Sequence, residues 1–267
     1  MAKRIVMYNH KGGVGKTTTS VNVSTYCAVL GNRTLIVDID PQGNASGNFS
    51  YNIYDVAENT AQKTIVEVLL GKTTVKDAKT TFDAAEIKSL HLLPSDNRMN
   101  KISSELNDKA GRDLILHTKL KEVESEYDYV FIDSPPQKSV FSMNALLAAN
   151  YIVIPFSPGQ YEVMGLKELM DLFDEVKRVS ENHPKVLGIL VTMHTPTKAM
   201  KDILRSLSEV YGDLLFQTVI PLSTAVKQST IDALPLYYSD GKSAPAMAYK
   251  EFTNEMIERI KKIEKGA

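Results

Sequence analysis

A glycine-rich stretch near the start of the chain has the composition needed to hold a phosphate group. Residues 11–18 read Lys-Gly-Gly-Val-Gly-Lys-Thr-Thr. The glycines Gly12, Gly13 and Gly15 allow backbone conformations that other residues avoid, and they let the main chain approach a ligand closely. Successive N–H groups of such a loop point inward and form an anion nest. An apolar run before the stretch predicts a buried strand. A helix predicted from about Lys16 turns its positive end toward the same site.

Two side chains at the end of this stretch complete a phosphate and metal site. Lys16 is placed to contact the β- and γ-phosphates of a nucleotide, and the Thr17 hydroxyl is placed to coordinate Mg²⁺. The stretch departs from the usual P-loop pattern, G-x-x-x-x-G-K-[ST], because His10 stands at the first glycine position and Lys11 adds a second lysine. This is the deviant Walker A form. The alternative, a turn that binds nothing, does not explain why strand, loop, paired lysines and helix coincide.

Three aspartates lie at the ends of predicted buried strands. Asp38 and Asp40 close the run at 34–39 and stand two residues apart, so their side chains leave the strand on the same side. Asp133 ends the run at 129–133 in a Walker B pattern, where an aspartate holds Mg²⁺ directly or through water. Because ligands bind at the carboxyl ends of parallel strands, we expect all three to face the phosphate loop. A plain cap on the following turn is the alternative for the first two.

Composition limits the class of protein. The chain has 267 residues, of which 43% are hydrophobic, and we predict one α/β domain over residues 1–267, which contains the P-loop. The formal net charge of −1 gives no global attraction to DNA or membranes, so nucleic-acid contacts would need a local patch. A single cysteine, Cys27, excludes a disulfide framework and cysteine-only zinc sites. No run reaches the ~18 apolar residues of a membrane-spanning helix, and we expect a cytoplasmic protein.

Strands and helices alternate along the chain. Most of the strands are continuous apolar runs, which are typical of a parallel sheet covered on both faces. Strands are predicted at 4–8, 34–39, 90–93, 129–133, 151–155, 186–192 and 214–221. The main helices are predicted at 18–30, 64–70, 73–79, 112–123, 140–150, 160–178, 197–211 and 244–262. The predicted fold class is therefore α/β, with a doubly wound, mostly parallel sheet and helices on both faces.

These segments together resemble the ParA family of partition ATPases, within the ParA/MinD branch of P-loop proteins. The resemblance includes Asp-Ile-Asp-Pro-Gln-Gly-Asn at 38–44, Tyr-Asp-Tyr-Val-Phe-Ile-Asp-Ser-Pro-Pro at 127–136 and Thr-Val-Ile-Pro at 218–221, and it runs nearly end to end. The deviant Walker A separates this branch from most P-loop proteins. Asp-Pro-Gln-Gly favours ParA over MinD.

The resemblance implies an ATP hydrolase that uses ATP and Mg²⁺. In this family ATP drives a face-to-face homodimer in which Lys11 reaches across to the partner's phosphates, while Lys16 and Thr17 act within their own chain. Asp40 positions or activates the attacking water, and Asp38 and Asp133 organise Mg²⁺. Nucleotide contacts are expected from the loop and from one later proline: Lys11, Gly12, Gly13, Val14, Gly15, Lys16, Thr17, Thr18 and Pro221.

The resemblance further implies a DNA-bound state. The ATP-bound dimer binds DNA non-specifically, associates with the nucleoid and is released when a ParB-type centromere-binding partner stimulates an otherwise slow hydrolysis. Family members often carry Asp and Arg after the strand that ends at Thr192 and Arg after the final Ile-Pro, whereas this chain has Met193 and Leu222 there. This favours a plasmid-type or divergent member. DNA contacts, or else solvated helix faces, are expected at basic residues of the carboxyl-terminal third: Lys198, Lys201, Arg205, Lys227 and Lys250.

Two other functions stay open. A MinD-like ATPase positions itself on a membrane through a C-terminal amphipathic segment, and residues 249–263 carry an apolar stripe. Packing of that helix on the domain's own core explains the same stripe, so we expect no stable membrane association. The other alternative is a ParA-like protein that positions a protein cargo. A redox protein of the nitrogenase iron-protein type would need several cysteine ligands, which Cys27 alone does not supply.

Overall fold

The structure of the chain is a computed structural model, and it describes residues 1–50, 62–82, 87, 89–159, 162–179 and 183–266. The strands are β1 (Lys3–Met7), β2 (Thr34–Asp38), β3 (Thr80–Thr81), β4 (Leu90–Leu93), β5 (Tyr129–Asp133), β6 (Tyr151–Phe156), β7 (Lys185–His194) and β8 (Leu215–Pro221). The helices are α1 (Lys16–Val29), α2 (Asn44–Gly47), α3 (Ile65–Leu69), α4 (Val75–Ala78), α5 (Met99–Asn107), α6 (Ile115–Lys121), α7 (Val140–Ala148), α8 (Glu162–Val179), α9 (Lys198–Tyr211), α10 (Thr224–Ile231), α11 (Leu236–Asp240) and α12 (Ala244–Lys265). Short 3₁₀ helices cover Arg112–Leu114, Glu124–Glu126 and Gly212–Leu214.

The described strands form one eight-stranded sheet in the order β3-β4-β2-β5-β1-β6-β7-β8. Neighbouring strands are parallel, except that the short β3 runs antiparallel to β4 at the edge. Helices cover both faces. The predicted α/β class with a doubly wound, mostly parallel sheet is therefore confirmed, while one domain across residues 1–267 stays a prediction.

Each face of the sheet has its own hydrophobic core. Successive side chains of a strand point to opposite faces, so Val6 and Ile132 join the core under α3 and α5–α9, whereas Ile5 and Phe131 join the core under α1 and α12. All four side chains are fully buried. Burial of each stabilises the fold by about 1.5–3 kcal/mol relative to an exposed position. The central strands are therefore rigid supports for whatever follows their carboxyl ends.

The apolar stripe of the last helix packs inside the molecule. Tyr249, Phe252, Met256 and Ile260 of α12 are buried in the core that α12 shares with α1. The Tyr249 hydroxyl lies 3.3 Å from the hydroxyl of Thr19 in α1. Internal packing thus explains the stripe, as predicted. Within the described ranges, no helix is long and apolar enough to cross a membrane.

Gly188 of β7 leaves room for a side chain that reaches across from α12. The Nη1 atom of Arg259 donates to the carbonyl oxygens of Leu187 and Leu214 at 3.0 and 3.1 Å. The same guanidinium stands over the Phe216 ring, 4.1 Å from its centroid. A Cβ at position 188 would lie 2.5 Å from both Arg259 Nη1 and the Leu214 carbonyl oxygen. Only glycine fits at this position without displacing Arg259 and the main chain at Leu214, just before β8.

We expect Gly188→Ala to lower the free energy of unfolding by about 1–3 kcal/mol, because overpacking would push Arg259 and the main chain at Leu214 away. Urea denaturation followed by circular dichroism measures the change. Gly212→Ala is the matched control, since a Cβ there meets its nearest atom, Ser208 Oγ, at an ordinary 3.7 Å. Equal stabilities of the two variants would contradict this account of Gly188.

Candidate functional site

The glycine-rich loop connects the carboxyl end of β1 to the start of α1. Gly13 and Gly15 have φ angles of 74° and 86°, in the left-handed region that favours glycine. Gly15 is the N-cap of α1, which has no capping side chain. The Thr19 N–H donates to the Gly15 carbonyl at 2.9 Å and begins the helical ladder. The N–H groups that precede Thr19 in the first turn of α1 have no partner within the helix and remain available to an anion.

Neighbouring strands hold this loop in place. The Asn9 side chain donates to the carbonyl oxygen of Pro155 in β6 at 2.9 Å and accepts from the Lys11 N–H at 3.0 Å. The Thr192 hydroxyl of β7 donates to the carbonyl oxygen of Val14 at 2.9 Å. The loop is therefore attached to β6 and β7 as well as to its own strand, so its N–H groups are fixed before any ligand arrives.

Lys16 folds back inside the loop. Its Nζ atom donates to the Lys11 carbonyl oxygen at 2.8 Å, and the residue is only 7% exposed. Burial lowers the pKa of the Lys16 ammonium, and the charges of Asp133 and Asp40 oppose that change. An ammonium held among free N–H groups creates a strongly positive point in the loop. This arrangement suits a phosphate group.

Two carboxyls meet below the loop. The parallel register of β2 and β5 places Asp38 opposite Asp133, and both residues are fully buried. The Thr17 hydroxyl donates to one oxygen of Asp133 at 2.8 Å, and the Ser20 hydroxyl donates to the other at 2.9 Å. The predicted convergence of Thr17, Asp38 and Asp133 is therefore present in the structure. Ser20 was not predicted as a site residue.

A second network of hydroxyl groups holds Asp38 and Asp40. Ser46 donates to Asp38 Oδ2 through both its N–H and its hydroxyl, each at 2.7 Å. The Ser46 hydroxyl also accepts from the Ser95 N–H at 2.9 Å, and the Ser95 hydroxyl donates to the Asp40 carbonyl oxygen at 2.7 Å. Asp40 Oδ1 accepts from the Gln42 N–H at 2.9 Å. Ser46 and Ser95 thus position the two aspartates, a role that their sequence context did not indicate.

The paired carboxyls of Asp38 and Asp133 favour an added proton or cation. Burial raises the pKa of Asp38, and the facing charge of Asp133 raises it further. Burial also raises the pKa of Asp133, although the hydrogen bonds from Thr17 and Ser20 oppose this. A neighbouring cation would stabilise the charged forms of both groups.

The donor set fits Mg²⁺. The hydroxyl of Thr17 and the carboxylates of Asp38 and Asp133 are hard oxygen donors. In the part of the chain that the structure describes, no three His, Cys, Asp or Glu residues are grouped to enclose a metal. Mg²⁺ commonly needs no such group, because it keeps several waters and binds through one or two carboxylates together with substrate phosphates.

An open cleft of about 420 Å³ lies over the loop. Asp40 reaches this cleft, whereas Asp38 and Asp133 are completely buried. The cleft is lined by loop residues, by the segment after β2 and by a few residues of neighbouring loops: Gly12, Gly13, Gly15, Lys16, Thr17, Thr18, Asp40, Gln42, Asn44, Asn48, Pro136, Met193 and Thr230. It combines the fixed positive charges with one reachable carboxylate.

A more apolar cavity of about 210 Å³ adjoins the cleft. Pro221, predicted as a nucleotide contact, lines this cavity together with Ile220 and Tyr249. Met193 lines both spaces, and its φ of 52° is unusual for a residue with a side chain. Lys227 also lines the apolar cavity. The structure therefore places Pro221 beside the phosphate loop but in a separate compartment.

The Lys11 side chain lies away from this cleft. It lines a small cavity with His10 and Leu169, against Gly165 of α8. A Cβ at Gly165 would stand 3.3 Å from Lys11 Cε, so the absence of a side chain there leaves room for the lysine. The Lys11 carbonyl contacts Lys16, but the described lining of the cleft does not include Lys11.

The predicted DNA-contacting residues fall on two layers. Lys198, Lys201 and Arg205 are exposed on α9, and their spacing of three and four residues places them on one side of the helix. Lys227 and Lys250 are exposed on α10 and α12, which pack on the opposite face of the sheet. None of the five forms an ion pair with another described residue.

Known proteins are similar in sequence to this chain over most of its length. A family model described as an AAA domain matches residues 2–186. The chromosome-partitioning ATPase Soj of Treponema pallidum is 33% identical over 263 residues, which cover 97% of this chain and 98% of the relative. The chromosome partitioning protein ParA of Caulobacter vibrioides is 30% identical over 258 residues, with 96% and 94% covered.

One solved structure with the same fold belongs to a synthase and not to a partitioning protein. Cobyrinic acid a,c-diamide synthase from Mycobacterium smegmatis, with bound ADP and magnesium, matches with a TM-score of 0.83 and 26% identity. The match covers 98% of this chain and 96% of that one. Because one fold hosts several reactions, the fold alone does not identify the reaction.

Asp38→Asn is expected to stabilise the nucleotide-free protein at about pH 8 by ~1–3 kcal/mol, with little effect at about pH 4. The native pKa of Asp38 lies above its unfolded value. The native state therefore binds more protons than the unfolded state, and stability is lost as pH rises through the native pKa. An uncharged amide avoids this loss.

Urea unfolding of both proteins at the two pH values measures the effect. Asp108→Asn is the control, because that residue is exposed at the end of α5. A wild-type protein that loses no stability relative to Asp38→Asn on going to the higher pH would contradict the prediction.

Proposed function

Since the chain belongs to the ParA family of partition ATPases, we propose that it uses ATP hydrolysis to partition a plasmid or a chromosome. The observation that carries this proposal is one cleft in which the Lys16 ammonium, the first turn of α1 and Asp40 converge, with Thr17 and the buried carboxyl pair beneath it. The relatives named as partitioning proteins cover nearly the whole chain, so the proposal concerns all of it.

ATP and Mg²⁺ are the proposed cofactors, and named residues have a task for each. Lys16 would exchange the Lys11 carbonyl oxygen for phosphate oxygens, and the N–H groups of the loop would hold the same phosphates. Thr17 and Asp133, with Asp38 behind them, would hold Mg²⁺. The metal, when bound, supplies positive charge to the phosphates. The ADP and magnesium in the synthase of similar fold support this choice.

Asp40 is the proposed group that orients the attacking water. Its carboxyl reaches the cleft, while the Gln42 N–H and the Ser95 hydroxyl hold the residue in place. Burial raises its pKa, and the Gln42 hydrogen bond and the charge of Lys16 oppose this change. A fixed carboxylate of this kind can accept a hydrogen bond from water and direct its attack.

We expect Asp40→Ala to bind ATP and to dimerise, but to hydrolyse ATP about 10²–10⁴-fold more slowly, since a positioned base contributes about that factor. Single-turnover hydrolysis and nucleotide titration measure the two properties separately. Asp213→Ala is the control, because Asp213 is exposed in the 3₁₀ helix before β8 and does not line the cleft. If Asp40→Ala keeps the wild-type rate, Asp40 has no place in the mechanism.

A homodimer is the proposed active state. The Lys11 side chain is held against α8 and away from its own cleft, which supports a role across an interface. In such a dimer the ammonium of Lys11 would add positive charge next to the partner's phosphates, where negative charge develops during hydrolysis.

Lys11→Ala should therefore retain monomeric nucleotide binding, because the Lys11 carbonyl that contacts Lys16 is main chain. The variant should lose ATP-dependent dimerisation or lower turnover by at least about tenfold. Sedimentation with ATP and Mg²⁺, combined with a turnover assay, tests both. Lys101→Ala, a change of an exposed lysine on α5, is the matched control. Wild-type dimerisation and turnover in Lys11→Ala would exclude the cross-interface role.

We propose that the dimer binds DNA without sequence specificity. Helix α9 carries the surface that is best supported as the DNA contact. Lys198, Lys201 and Arg205 share one exposed side of that helix, free of ion pairs to described residues. Lys227 and Lys250 are weaker candidates because they lie across the sheet. A ParB-type partner would stimulate the slow hydrolysis and release the dimer, which would be cytoplasmic and nucleoid-associated when ATP-bound.

DNA binding should require ATP and Mg²⁺ and should weaken steeply with salt. The triple variant Lys198→Gln, Lys201→Gln, Arg205→Gln should bind less tightly and should reduce the salt slope by roughly 2–3, because about 0.9 counterions are released per phosphate contact. Fluorescence anisotropy with duplex DNA at two salt concentrations, without nucleotide, with ADP and with ATP, measures this.

The matched control neutralises three exposed lysines outside α9 that form no ion pair with described residues, Lys72, Lys76 and Lys101. Equal losses in the two triple variants would exclude α9 as the DNA surface. No DNA binding under any condition would instead favour the protein-cargo or membrane alternatives, and liposome binding would then be measured.

A further inference from the structure

A further cavity, of about 400 Å³, lies at the end of the sheet opposite the phosphate loop. We call it the Arg4 cavity. It is lined by residues from the amino ends of β1 and β6, from the α6 region and from the end of α12, chiefly Lys3, Arg4, His117, Lys121, Glu124, Tyr151 and Glu264. Because β1 has 5 residues at about 3.3 Å each, this cavity is separated from the phosphate loop by roughly 15 Å of strand. It is not part of the cleft described above.

Arg4 is the unusual residue in this cavity. It is only 5% exposed, and its Nε and Nη1 atoms are buried without a hydrogen-bond partner. Its backbone is fixed within the sheet, since Asn150 accepts from the Arg4 N–H at 2.9 Å and donates its own N–H to the Arg4 carbonyl at 2.7 Å. A buried cation with unsatisfied donors is costly to the fold. Such groups are normally paired or hold a ligand.

The other charged residues of the cavity form no ion pair with Arg4 within the described ranges. Lys3 forms an ion pair with Glu264, which also lies 3.5 Å from the Tyr151 hydroxyl. Lys121 makes no ion pair with any residue in the described ranges. Glu124 lines the cavity and acts on Arg4 through its charge, without a hydrogen bond to the unpartnered atoms.

The pKa of His117 shows which charges act on one wall of the cavity. Its Nδ1–H donates to the Leu147 carbonyl oxygen at 3.2 Å, which fixes the ring at the wall of the cavity. Burial lowers the pKa of His117, and the charges of Arg4 and Lys121 lower it further. Arg4 and Lys121 therefore place positive charge beside this wall, and Glu124 opposes it.

We propose that the Arg4 cavity binds a small phosphate or phosphate monoester, with the Arg4 guanidinium as its anchor and Lys121 at its rim. Arg4 lines the cavity, and a small rotation of its side chain would turn the buried Nε and Nη1 donors toward a bound anion. A guanidinium in that position offers a fork of donors that matches two oxygens of a phosphate. A further donor at the rim contacts a third oxygen, which a planar carboxylate does not have. The volume suits a small molecule and is below the upper limit of typical ligand sites, about 1,000 Å³.

Titration calorimetry of the full chain with inorganic phosphate and with glycerol phosphate tests the proposal. The phosphate loop is first saturated with a non-hydrolysable ATP analogue and Mg²⁺, so that added phosphate reports on other sites. We expect one saturable site per chain. Arg4→Gln should weaken binding at least about tenfold, since charge-assisted hydrogen bonds are lost, and Lys121→Gln should weaken it several-fold.

Arg112→Gln is the matched control for lost positive charge, because Arg112 is exposed and does not line the Arg4 cavity. Lys121→Gln changes an exposed residue, so it keeps the test decisive if Arg4→Gln does not fold. Phosphate affinity that is unchanged by Lys121→Gln relative to Arg112→Gln, or the lack of any saturable site, overturns the proposal.

Glu124→Gln separates the proposal from a simpler arrangement in which Glu124 alone serves as the partner of Arg4. In the proposed site this variant removes a competing negative charge and tightens phosphate binding. If Glu124 is only the partner of Arg4, the variant lowers the melting temperature and leaves phosphate affinity unchanged, which also overturns the proposal. Vesicles that contain phosphatidate, tested alongside, show whether a lipid headgroup is accepted as well as free phosphate.

Discussion

The functional end of this molecule depends on two buried carboxyls, those of Asp38 and Asp133, held side by side at the ends of neighbouring strands. Their mutual repulsion and desolvation oppose folding, and hydroxyl donors from Thr17, Ser20 and Ser46 offset part of that cost. The pair exists only when β2 and β5 are adjacent and in register. Because a register shift moves every side chain of a strand, sheet order and site geometry are one constraint.

The sequence predicts the fold well where a single face or an uninterrupted apolar run decides the structure. The strands at 90–93 and 129–133 are confirmed with the predicted bounds. The helix predicted at 112–123 begins instead as 3₁₀, because the Asn144 side chain donates to the Arg112 carbonyl and accepts from the Leu116 N–H. The helices α10 and α11 were missed, since their short polar sequences are held by tertiary contacts such as that of Asn22 with the Leu236 N–H.

The site is predictable to the extent that its residues form a pattern. The glycine loop, Lys16, Thr17 and the strand-end aspartates are close together, as their spacing indicates. The hydroxyls of Ser46 and Ser95 left no signal, because a serine in a loop is common and only the folded chain shows which carboxyl it contacts. The side-chain position of Lys11 also depends on a distant glycine, Gly165, to which no local sequence pattern connects it.

Met193 stands between the cleft and the apolar cavity and lines both. Its φ of 52° would suit glycine, yet the chain keeps a long, unbranched thioether there, between a polar space and an apolar one. Methionine is unbranched and has three rotatable side-chain bonds, so it adapts to irregular spaces. A ligand with a charged end and a flat apolar end could extend from the cleft into the apolar cavity past Met193. The position of the Met193 side chain would then set the distance between the two ends of that ligand.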